Sequence, residues 1–166
     1  MGNLITNQKS NAQALKLSNG ATAVVMCVLA LSASDLAETE WQKQFAKWIG
    51  AHDQNIYGLG VVGFDISDIG WMKTNFAEQK QHVLDVIDKA LSKNRWDVLP
   101  YDPPFAERQL GELRKLVEAF QLEFVEIDNE WAWGDHAEPP FELCEKHNTY
   151  LHIGGCIICH EIDSLT

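Results

Sequence analysis

Three stretches of the chain carry apolar residues at the three-to-four spacing of a helix with one buried face. Leu36, Trp41, Phe45, Trp48 and Ile49 define the first, over 35–49. Ser34 or Asp35 opens it, Glu38 stands where a capping box needs it, and Gly50 closes it. Phe76, Val83, Leu84, Ile87 and Leu91 define the second, over 75–93, with Asn75 and Glu78 as its cap signature. Leu110, Leu113, Val117 and Phe120 define the third, over 105–120. Other stretches lack this period. The turn Ser18-Asn19-Gly20 separates 13–17 from 22–32 and predicts a β-hairpin. The unbroken apolar run from Val24 to Leu29 places its second strand in the middle of a sheet. Residues 57–66 read as a second core strand, where Gly58, Gly60 and Gly63 permit bulges or close backbone approach. Residues 122–127 alternate as a strand does, and the prolines within 96–104 force a loop.

The predicted architecture is therefore α+β: a mixed β-sheet covered by about three amphipathic helices, ending in a C-terminal β-hairpin. The order strand 22–32, helix 35–49, strand 57–66 has the length of a right-handed βαβ crossover, which makes the central pair parallel. Residues 1–140 form the body and 141–166 an appendage packed on it, together one structural domain. A length of 166 residues, 46% apolar and 22% charged, excludes collagen-like, coiled-coil and wholly disordered chains. Against 13 Lys and Arg stand 24 Asp and Glu, a net charge of −11. That field repels phosphate backbones and disfavours general nucleic-acid binding. The apolar run 21–33 imitates the core of a secretory signal. It follows twenty residues that are polar with only two lysines, and it is Val-rich, so it reads as a buried strand of a cytoplasmic protein without a membrane partner.

The strongest chemistry lies at the C-terminus. Cys144 and His147, then Cys156 and Cys159, form CxxH, eight residues, CxxC. Each pair turns its chain so that both donors point at one centre, and four N and S donors complete the tetrahedron that suits zinc. Gly154-Gly155 permits a tight entry to the second pair, and Asn148 tolerates the left-handed conformation after the first. The stretch CEKHNTYLHIGGCIIC resembles zinc-ribbon and zinc-knuckle modules over the last 25 residues or so. A complete set of four ligands implies a structural ion, with no open position for water. His152 and His160 are spare imidazoles able to replace one of the four, and Glu161 then offers a base. A redox CxxC at Cys156 and Cys159 needs a following helix, and the chain ends almost at once.

Two further groups invite a role. Asp65 and Asp68, with His52-Asp53 and Asp135-His136, suit acid–base or metal chemistry, and equally helix caps and Asx-turns. The GxGxxG at Gly58, Gly60 and Gly63 lies inside a strand-like run and opens no helix, so it lacks the setting of a nucleotide site. Residues 121–142 hold seven acids, no Lys or Arg, and two tryptophans. Glu126, Asp128, Glu130, Trp131 and Trp133 are the candidate partner-binding residues, with acids steering a basic partner and indoles holding it. The competing role for the tryptophans is packing on the sheet or the zinc hairpin. The leading expectation is a non-catalytic, immunity- or inhibitor-like protein that blocks or sequesters a basic protein partner. The alternatives are a zinc-dependent enzyme and a zinc-ribbon module associated with nucleic acid.

Overall fold

The computed structural model describes residues 2–126 and 133–166. Among these described residues the fold is α+β, with six helices and one small mixed sheet. The sheet has strand order β2-β1-β3. Strand β1 (Gly2–Thr6) pairs antiparallel with β2 (Leu15–Ser18), with Asn3 opposite Leu17 and Ile5 opposite Leu15. On its other side β1 pairs parallel with β3 (Phe64–Asp65), Ile5 facing Phe64. A parallel pair is present, as expected, but it joins β1 to β3. Residues 122–127 supply no strand over their described part, because Leu122–Phe124 is a 3-10 turn.

The main correction concerns residues 22–32. They lie within α1 (Asn19–Leu36), a helix, and the Asn-Gly pair is its first turn. Ser18 accepts the Ala21 N–H at 3.1 Å, so the residue that reads as a hairpin turn is an N-cap. Helix α1 packs against α2 (Glu40–Gly50), α4 (Phe76–Leu91), α5 (Ala106–Glu118), α6 (Ile157–Ser164), β1 and β2. The run Val25 to Ser34 is buried without interruption. A helix covered on all sides has no apolar stripe, which is why its period is invisible. Helix α1 is long and apolar enough to span a membrane by length and composition, with mean hydropathy 1.4, yet 56% of it is buried as in a core helix.

The three amphipathic helices are present as α2, α4 and α5. Helix α2 begins later than its pattern implies, because α1 runs to Leu36. Thr39 caps it, with Gln42 completing the capping box. Residues 57–66 form a loop around the short β3, preceded by the single turn α3 (Gln54–Tyr57). Gly63 is required there, since a Cβ would lie 2.3 Å from the Leu4 carbonyl oxygen of β1.

Trp41, Trp48, Trp71 and Trp133 gather into one aromatic cluster with Phe45, joined by centroid separations of 5.4–6.3 Å. Trp41 and Trp71 use their indole N–H on the carbonyls of Gly70 and Ile66. The cluster seals the face of α2 that the sequence pattern assigns to the core.

Candidate metal centre

The C-terminal unit starts from local turn chemistry. Asn148 adopts the left-handed conformation at φ 51°, and its N–H donates to the Cys144 carbonyl at 2.8 Å. The Cys144 N–H in turn donates to the Thr149 carbonyl at 2.9 Å. This knuckle brings Cys144 and His147 to one side. The chain then forms isolated β-bridges, Leu143 with Tyr150 and His152 with Gly155, in place of a longer hairpin. Gly155, at φ 120°, delivers Cys156 to the N-cap of α6, so Cys159 lies one turn into that helix. Helix α6 packs on α1 and α3.

The four donors converge. Cys144 Sγ lies 3.7 Å from Cys159 Sγ and 3.8 Å from His147 Nδ1. His147 Nδ1 lies 3.3 Å from Cys159 Sγ and 3.9 Å from Cys156 Sγ. All four donor atoms fall within 4.8 Å of one another. A tetrahedral ion with sulfur at about 2.3 Å and nitrogen at about 2.0–2.1 Å sets its ligands about 3.8 Å apart for S–S and about 3.6 Å for S–N. Four of the six edges fall within about 0.3 Å of those lengths, and the other two lie within 4.8 Å. A disulfide needs sulfurs about 2.0 Å apart, and all four cysteines are free. The donor set could hold a metal ion.

The electrostatics suit ligation. Burial, aided by Lys146 and Arg95, pushes the His147 pKa down and favours the neutral imidazole that binds metal. Burial pushes the Cys156 thiol up to about 12, and it also raises Cys159, next to Cys144. Burial acts against the Cys144 thiolate too, but the N–H groups of His147 and Lys146 outweigh it and bring that thiol below its ordinary value. Cys144 is thus the most readily ionised of the three thiols, and an ion must displace protons to complete its shell.

A brace fixes the knuckle to the body. Arg95 grips Asp35 through Nε and Nη2, both at 2.9 Å, while its Nη1 donates to the His147 carbonyl at 2.6 Å. The Tyr150 N–H donates to Ser34 Oγ at 3.1 Å. Lys47, buried on α2, donates to the carbonyls of Glu138 and Pro140.

His152 and His160 are not directed at the four-donor centre. The Gly154 N–H donates to His152 Nδ1 at 2.9 Å, which leaves the ring proton on Nε2. That nitrogen meets Asp53 Oδ2 at 2.8 Å, and His160 Nδ1 meets the same oxygen at 2.6 Å. Asp53, His152 and His160 lie close enough to hold an ion. The Gly154 bond argues against it, because a ring that accepts at Nδ1 has no free lone pair at Nε2.

The remaining sequence candidates separate. Asp65 accepts from Thr6, Gln8 and Ser67, and Asp68 accepts the Asp65 N–H, so the pair forms a structural cap. Asp65 and Asp53 serve different networks, so no shared acid–base site joins them. Glu126 is exposed and ion-paired with Lys9. Asp128, Glu130 and Trp131 lie outside the described residues. Trp133 is 7% exposed and lies against Gly70, so it fills the aromatic cluster and is not a surface anchor. The helix α6 was not foreseen, and it removes the objection that no helix follows the CxxC.

Comparison with family models, with curated proteins and with solved structures finds no match to this chain, and the geometry of the site alone bears on its function.

Proposed function

We propose that the protein is a non-catalytic binding protein whose C-terminal unit is held by one structural zinc ion on Cys144, His147, Cys156 and Cys159. The convergence of four donors at tetrahedral spacing carries this reading. Three sulfurs and one nitrogen fill the coordination shell, which leaves no position for a substrate or an activated water. The chemistry the ion supplies is cross-linking: it ties the knuckle at 144–147 to the start of α6.

The partner in this proposal is a basic protein. Supporting it are the net charge of −11 and the exposed carboxylates Glu123, Glu126, Glu138 and Glu142. With Trp133 buried, the anchors pass to apolar side chains that do face solvent. Ile56, Leu59 and Val61 are exposed around one loop, and Ile153 is exposed on the turn beside Ile56. Exposed apolar side chains gathered at one place are a frequent sign of an interaction surface.

Affinity capture with the zinc-loaded chain tests the pair of claims. Basic proteins should be retained, release should rise with salt, and Leu59→Asp with Val61→Asp should abolish retention while zinc stays bound. Retention that ignores both salt and these substitutions contradicts the reading.

A further inference from the structure

Beyond the zinc and the partner surface, a cavity of about 400 Å³ lies between the start of α1, the bend before α5, and α6. Val24 and Phe105 give it apolar walls, and Tyr101, Gln109 and Glu161 bring polar groups to it. Glu161 is only 8% exposed. Its Oε1 accepts from Tyr101 Oη at 3.1 Å and its Oε2 from Asn55 Nδ2 at 3.2 Å. Both donors are neutral and both bonds are long. Among the described residues no Lys, Arg or His forms an ion pair with this carboxyl group. Buried carboxylates are ordinarily paired with a cation, because burial without one is costly.

Gln109 makes the same demand. It is 9% exposed, and its side-chain oxygen is buried with no donor. Two acceptors short of donors thus share one apolar-walled cavity. Among the described residues no hydrogen bond from the start of α1 reaches either acceptor, and the Ala21 N–H is taken by Ser18. Phe105 stands over the cavity with a left-handed backbone, φ 63°, and a ring that is largely exposed. A bulky residue held at positive φ is a strained feature of the kind found at ligand sites.

We propose that this cavity binds a small organic ammonium ion with an apolar body, its N–H donors shared between Glu161 and Gln109 and its hydrocarbon part against Val24 and Phe105. An ammonium carries three donors and a positive charge, which is what the two acceptors lack. A charge-assisted hydrogen bond is roughly twice as strong as a neutral one, so the charge should be worth about tenfold or more in affinity. The site is independent of the partner surface. It shares α6 with the zinc ligands, so zinc content is measured in every sample.

The test is titration of the full zinc-loaded chain with 2-phenylethylammonium, and with 2-phenylethanol as the uncharged molecule of similar shape, followed by amide NMR. Saturable shifts are expected at Gly20, Ala21, Gln109 and Glu161, with the ammonium bound at least about tenfold more tightly than the alcohol. Glu161→Gln should remove that preference, and Gln109→Leu should weaken ammonium binding, with zinc retained in both. Equal affinity for the two probes, an unchanged preference in Glu161→Gln with zinc retained, or no saturable shift at millimolar ammonium overturns the proposal. If Glu161→Gln does not fold, Gln109→Leu decides: unweakened ammonium binding in that variant overturns it.

Discussion

Single residues carry much of the specificity of this fold, and some declare themselves in the sequence. Asn148 does: after CxxH the chain needs a left-handed residue, and Asn is among the few that accept one. Gly63 half-declares itself. Its place in a Gly-rich run signals close approach, but only the fold shows that Leu4 is what approaches. Gly63→Ala should therefore separate β1 from β3 and cost about 1–3 kcal/mol, read by denaturant unfolding. A packing role for Trp133 was legible but its place was not, because its burial depends on Gly70, 63 positions away in sequence, leaving room for the ring. Truncating it to Ala should destabilise by about 3–5 kcal/mol. Loss of partner binding without loss of stability would return it to the surface. His52 offers a second check. Burial beside Trp48 and Phe64 holds its pKa down to about 4, against the bond from its Nδ1 to the Trp48 carbonyl. A depressed folded pKa means that the unfolded chain binds the proton first. Stability from this group is full above pH about 6.5 and falls away as pH drops toward about 4. Imidazole resonances followed by NMR should show His52 titrating near that lower value, and a midpoint near 6.5 would contradict the burial.

At the level of elements, amphipathic segments were legible and uniformly apolar ones were not. Helices α2, α4 and α5 each expose one face, so their period survives in the sequence. Helix α1 touches four other helices and two strands, so all its sides are apolar and period cannot separate helix from strand. Length held the answer: a 13-residue apolar run exceeds the usual strand. Ser18 then makes sense as a cap, and Ser18→Ala should cost about 1 kcal/mol by loss of the Ala21 bond. Strand β1 was missed because five residues at a chain end show too little alternation to register. The β content of the C-terminal unit is two isolated bridges, so in the proposed reading the ion supplies much of its order. Cys156→Ser should raise amide exchange across 143–164 while β1 and β2 stay protected. Uniform loss of protection would instead make the metal a condition of the whole fold.

Over the whole molecule, the Cys/His cluster and the α+β class were legible, whereas the exposed apolar side chains of the proposed partner surface were not. Ligand spacing is a short-range property, and two knuckles eight residues apart are visible without any fold. A surface is the opposite: the turn that carries Ile153 comes beside Ile56 of α3 only through the fold. The acidic charge lies between these cases, legible as a total and not as a place. Arg95 binds the two halves together, from Asp35 at the end of α1 to the His147 carbonyl at the centre. Metal loss should therefore also reach the end of α1, where Asp35 holds Arg95, while β1 and β2 stay protected. The most direct measurement is zinc per chain in protein purified without chelator, for the natural sequence and for Cys156→Ser and His160→Ala. The account predicts one zinc in the natural chain, the same in His160→Ala, and loss in Cys156→Ser. Zinc near zero in the natural chain, or zinc kept by Cys156→Ser and lost by His160→Ala, would contradict it.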